Sequence, residues 1–150
     1  MSNKGIIILA LSLFAAFPAF AQQFTVNFDF TVTIGGETPP DAKGKALIQD
    51  ECYHIESPVY EIWCDGESRW IIDKDAREVT VETDEPLGDL LQNIDIEWNG
   101  NEPSGAYFTL EDGTVVRISV QNFKQTNPVN LLFRYDTSRL GDDYIVTDLR

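Results

Sequence analysis

Residues 24–34, FTVNFDFTVTI, alternate without a break. Phe24, Val26, Phe28, Phe30, Val32 and Ile34 are apolar, and Thr25, Asn27, Asp29, Thr31 and Thr33 between them are polar. A period of two held over such a length describes a strand with one dry face and one wet face. A helix is excluded, because its turn of about 3.6 residues would scatter the same side chains round the whole circumference. The chain is therefore committed to a sheet whose dry face must be covered.

The same pattern recurs downstream. Lys45–Gln49 is a second strand, and CYHIESPVYEIWCDGESRWIID (52–73) reads as three more: Cys52–Glu56, Val59–Cys64 and Ser68–Asp73. Turns at Ser57-Pro58 and Asp65-Gly66 join them, the latter a strong hairpin signal because Gly supplies the positive φ a tight turn needs. A three-residue loop centred on Pro58 sets Glu56 against Tyr60 and Cys52 against Cys64. Directly opposed residues lie within or close to disulfide reach, so a Cys52–Cys64 bridge is expected. A three-residue loop ending on Gly66 sets Tyr60 against Trp70 and Ile62 against Ser68. Tyr60, Ile62, Cys64, Trp70 and Ile72 then share the dry face, and Arg69 stacks against Trp63 on the wet one. Strand Glu78–Glu82 extends the dry face if Ile72 pairs with Val79 and Trp70 with Val81.

TDEPLGDLLQNID (83–95) changes period. Leu87, Leu90, Leu91 and Ile94, with Pro86 before them, predict a short amphipathic helix with Pro in its first turn. Residues 96–105 read as a loop. A hairpin about Asp112-Gly113 sets Ala106, Phe108 and Leu110 against Val116, Ile118 and Val120. Residues 123–130 turn into a strand at Leu131–Asp136, and a final strand follows at Tyr144–Leu149. The fold expected is mainly β: a single curled antiparallel sheet, an unclosed β-barrel, wrapped around a short helical lid.

Ahead of the first strand, Ile6–Phe20 is an apolar run behind one Lys, ending in the small-residue site Ala19-Phe20-Ala21. This is the pattern of a secretory signal peptide, residues 1–21, leaving 22–150 as one domain. No Cys stands directly after the cleavage site, so the exported chain is expected to be soluble and not lipid-anchored through an N-terminal Cys. Two cysteines in an exported protein fit one structural disulfide. The net charge of −14 disfavours nucleic acid and anionic membrane surfaces as partners.

Reactive chemistry is thinly represented. His54 is the one histidine, with Glu56 two residues on, and no nucleophile motif accompanies the pair. The acidic turns lack Ca²⁺-loop spacing, so neither a metal nor a cofactor is expected, and the chain does not read as an enzyme. What it offers is apolar area. Phe28, Phe30, Ile62, Trp70, Ile72, Val81, Leu90, Leu91, Phe108 and Ile118 form a candidate wall for an acyl chain. The alternative is a periplasmic β-domain with a filled core that binds another protein or a small ligand through its loops; a hydrolase is a distant third.

The signal peptide, FTVNFDFTVTI, GKALIQDECYHIESPVYEIWCDGESRW and IIDKDAREVTV together resemble the outer-membrane lipoprotein carrier family of Gram-negative periplasms (the LolA type). The shared pattern here is an aromatic-rich first strand, Gly44 opening the second, and then Asp65, Gly66, Trp70, Asp73, Val79 and Val81. The resemblance implies a periplasmic chaperone that holds lipoprotein acyl chains in an apolar half-barrel cavity on the way to the outer membrane. It also implies a release complex in the inner membrane and an acceptor in the outer membrane. The chain is a short variant: no helix precedes Phe24, Gln49-Asp50 replaces the basic residue after the second strand, and the lid region is short.

Overall fold

A computed structural model describes residues 5, 6, 10, 24–40, 42–84 and 94–150. Among the described residues ten strands form one sheet: β1 Thr25–Ile34, β2 Lys43–Gln49, β3 Cys52–Glu56, β4 Tyr60–Cys64, β5 Ser68–Asp73, β6 Glu78–Thr83, β7 Asp95–Asn99, β8 Glu102–Thr109, β9 Val115–Thr126 and β10 Ile145–Asp148. Their spatial order is β10-β6-β5-β4-β3-β2-β1-β9-β8-β7, so β10 and β7 are open edges and the barrel is not closed. Neighbours are antiparallel except β10 and β6, which run parallel, making the sheet mixed. β1 to β6 form a meander; the chain then re-enters at the far edge, and β7-β8-β9 fold back onto β1. Residues 96–105 are thus largely strand, not loop. Leu131–Asp136 is no strand, and the chain there runs irregularly into a short 3-10 turn at Thr137–Arg139. The predicted helix over 83–95, with Leu90 and Leu91, lies outside the described residues, so the helical lid is not shown.

The hairpin registers differ from those expected. Tyr53, not Cys52, stands opposite Cys64, because the β3–β4 loop holds two residues, Pro58 and Val59, with Ser57 N bonded to Tyr60 O at 2.8 Å. In the next hairpin Cys64 faces Arg69 and Trp63 faces Trp70. Here the loop is Gly66-Glu67, with Gly66 at φ +91° in the first central position, the one a two-residue hairpin reserves for glycine. Asp65 Oδ1 accepts from the amides of Glu67 and Ser68 and ties the turn down. Both shifts are odd, and an odd shift sends side chains to the other face.

Three expectations are corrected as a result. Cys52 and Cys64 lie on opposite faces of the sheet and are free thiols, so no Cys52–Cys64 disulfide forms. Trp70 and Ile72 leave the face that carries Tyr60 and Ile62. Arg69 and Trp63 likewise part, and Arg69 pairs with Glu82. The pairings Ile72–Val79 and Trp70–Val81 are as expected.

The free thiols are chemically unequal. Burial pushes the Cys64 thiol up to about 12, whereas half-buried Cys52 is raised by burial and then by Asp65, Asp50 and Glu51. A thiol reagent at neutral pH should therefore label Cys52 slowly in the native protein and Cys64 only after unfolding. Protection of both thiols until a reductant is added would mean a bridge and would refute this register.

The two faces of the sheet are covered differently. On one, Val26, Phe28, Phe30 and Val32 of β1 continue through Ala46 and Ile48, Tyr53 and Ile55, and Tyr60, Ile62 and Cys64. Val116, Ile118, Ala106 and Phe108 extend it on the other side of β1. On the opposite face, Trp70, Ile72, Val79 and Val81 form a second cluster with Trp63, Tyr135, Leu140 and Tyr144. The cover there is the segment 127–144. It is pinned at its start by Val129 N to Gln49 Oε1 (2.8 Å) and Thr25 Oγ1 (3.2 Å), and further on by Arg134 to Asp65.

Candidate functional site

The first apolar face is the candidate site. Phe28 and Phe30, Ile62, Phe108 and Ile118 are brought together on it by five-residue to twelve-residue strands of alternating pattern. Trp70, Ile72 and Val81 are not; they belong to the cluster beneath the 127–144 strap. The residues missed are Tyr53 and Ile55 of β3, both fully buried in the same face. The signal for them was present: in CYHIE the apolar side chains occupy odd positions and the polar ones even positions.

What lies on this face bears directly on its use. Gly5, Ile6 and Ala10 are helical, and Ile6 and Ala10, four apart and so on one side of a helix, are buried at 5% and 0% exposure within the face's cluster. Both belong to the segment that the sequence marks as a cleavable leader. Phe123 stacks over Phe28 with ring centroids 6.3 Å apart, at the point where β9 bulges past β1.

On β5 the face keeps Ile71, opposite Ile62, but presents Arg69 opposite Cys64, and β6 follows with Glu82. Arg69 Nε donates to Glu82 Oε1 at 2.8 Å, and a second guanidinium nitrogen reaches the same oxygen. Tyr53, on β3 opposite Cys64, is pushed above its ordinary pKa by burial.

On the opposite face a cleft of about 1120 Å³ opens between the strap and β4–β5, walled by Trp63, Trp70, Tyr135, Glu61, Arg134, Arg139 and Arg150 among others. His54 stacks on Trp63 at 3.7 Å between ring centroids, and His54 Nε2 and Trp63 Nε1 both reach Glu61 Oε1, at 2.9 and 2.8 Å. The bond from His54, and after it that from Trp63, holds the Glu61 carboxyl below the usual range despite its burial. The acid partner of His54 is thus Glu61 across the ladder, not Glu56. The oxygen is saturated by these two donors and serves to fix the stacked pair in place. The arginines of the cleft are likewise engaged, Arg134 with Asp65, Arg139 with Asp136 and Arg150 with Asp148.

Among the described residues no three His, Cys, Asp or Glu converge as metal ligands, and no helix is long and apolar enough to cross a membrane. No protein-family model and no curated protein matches the chain. Its fold is similar to that of an uncharacterized conserved protein from Thermus thermophilus, known from a crystal structure. The two share a TM-score of 0.54 at 11% identity, over 98% of this chain and 99% of that one. At such low identity the likeness establishes a shared architecture and no activity.

Proposed function

We propose that the chain is a periplasmic carrier that holds lipoprotein acyl chains against the β1–β4, β8 and β9 face and shuttles them toward the outer membrane. The observation that carries this reading is the burial of Ile6 and Ala10 in that face. If the leader is cut from the exported protein, those side chains depart and leave apolar surface that needs another apolar occupant. Each methylene of an acyl chain buried there contributes about 0.8 kcal/mol, so a modest length suffices for useful affinity. The resemblance to the lipoprotein carriers points to the same cargo, with an inner-membrane release complex and an outer-membrane acceptor as partners.

Native mass spectrometry of the leader-processed protein recovered from its host tests the proposal. The expected result is added mass from bound acyl lipid, together with strong Nile red fluorescence that the unprocessed precursor lacks. Processed protein that is lipid-free and silent towards the dye would refute the carrier. The second reading, recognition of a protein or small ligand through loops, draws on the aromatic cleft under the strap and predicts that silent outcome.

A further inference from the structure

The two strands that bound the sheet are unlike. β7 carries Asp95 and Glu97 and slips register between Glu97 and Trp98, the charged and bulged form that keeps an open edge from pairing. β10 runs beside β6 without a slip and contains neither Lys nor Pro. Its apolar side chains are in water: Ile145 is 65% exposed, Val146 45%, and Leu149, just beyond the strand, 64%. Ile145 N donates to Arg77 O at 3.0 Å and Leu149 N to Val81 O at 2.7 Å, so the odd-numbered residues turn their amides and carbonyls towards β6. By the alternation of a strand, Val146 and Asp148 turn theirs outwards, where no further strand lies among the described residues.

Those outward groups are self-complementary. A two-fold axis through Thr147 sets Val146 of each copy against Asp148 of the other, a pair in which both residues face out and can exchange both backbone bonds. The same axis sets Ile145 against Leu149, and Thr147 against its own counterpart, in the non-hydrogen-bonded positions where side chains come closest. The two most exposed apolar side chains of this edge thus cover each other, once on either side of the axis. Charge agrees with the orientation. Asp148 is matched by Arg150 of its own copy at 2.7 Å, so it approaches as half of a neutral pair. Asp142 and Asp143 precede β10 and Arg150 follows it, so antiparallel copies bring unlike ends together and parallel copies like ends. The geometry points to a second copy of this chain as the partner of β10, two ten-stranded sheets joined into one across a two-fold axis. The pairing leaves the β1–β4, β8 and β9 face free and stands whether or not acyl chains bind there.

Sedimentation velocity of the leader-processed protein over a range of concentrations tests it. An edge contact this short is small for a specific interface, so half-dimerisation is expected near about 100 µM. Val146→Pro removes an amide that β6 does not use and fills the space of a partner strand. It should melt within a few degrees of wild type and stay monomeric throughout. In a Cys52→Ser background, Thr147→Cys should form a covalent dimer under mild oxidation, since the axis sets residue 147 opposite itself within disulfide reach. Ile145→Cys should not, because Leu149 stands opposite it. These two results decide the matter even where Val146→Pro fails to fold. Wild-type protein that sediments as a monomer up to about 500 µM, five times the expected midpoint, overturns the pairing. So does a Val146→Pro dimer as tight as that of wild type, which places the contact elsewhere. Crosslinking of Ile145→Cys as fast as Thr147→Cys denies the register. Assemblies that keep growing with concentration would mean β10 pairing with β7 of the next copy, and would overturn the two-fold axis.

Discussion

Replacing Trp70 with Ala should destabilise the protein by about 3–5 kcal/mol and leave the apolar face of β1–β4 in place. Trp70 is 5% exposed and packs in the cluster of Ile72, Val79 and Val81, against which Trp63, Tyr135, Leu140 and Tyr144 are laid. Three of those partners belong to residues 127–144, which have no ladder of their own to hold them. Removing the indole thus opens a cavity and loosens the strap at once. A urea titration reads the loss as a lower midpoint, and limited proteolysis should then cut within 127–144 before anywhere in β1–β4. Nile red binding by the folded variant should match wild type. Reduced dye binding with unchanged stability would place Trp70 in the ligand wall after all.

Gly44→Ala should be more severe, costing more than about 4 kcal/mol and leaving little soluble protein. A Cβ on residue 44 would lie 1.8 Å from the carbonyl oxygen of Glu56 and 3.0 Å from the Phe30 ring. The Glu56 oxygen is backbone at the end of the β2–β3 ladder, so it cannot swing aside as a side-chain terminus would. Relief requires β2 and β3 to separate, which breaks the sheet at its middle. Circular dichroism of whatever soluble fraction remains, and its melting temperature, check this. A variant that melts within a few degrees of wild type would show that the close approach is not real.

The sheet itself was legible in the sequence, and the site only in part. Alternation in FTVNFDFTVTI and the Asp-Gly turns place β1, β3, β5 and both hairpins, because period and turn chemistry are local properties. Loop length is not so readily read: Ser57-Pro58 and Asp65-Gly66 accommodate two or three residues, and the choice decides which face each following strand shows. For β3 and β4 the patterns CYHIE and YEIWC already demand an odd shift, since Tyr53 and Ile55 must join Tyr60 and Ile62. For β5 no such test exists, because SRWIID has Trp70 and Ile72 on one side and Ile71 on the other. What buries Trp70 is the strap, whose side chains follow no period, so its contribution is visible only once the chain has folded back.

The one parallel pairing among the described residues joins β10 to β6 across most of the second half of the chain. Until Ile145–Asp148 arrives, β6 carries a row of bare amide and carbonyl groups that another molecule could zip onto, and the indole of Trp70 lies uncovered beside it. Contacts between such distant segments form slowly, so each newly made molecule passes through an interval in which it is adhesive. A net charge of −14 supplies mutual repulsion during that interval, keeping half-finished copies apart while the last strand finds its edge.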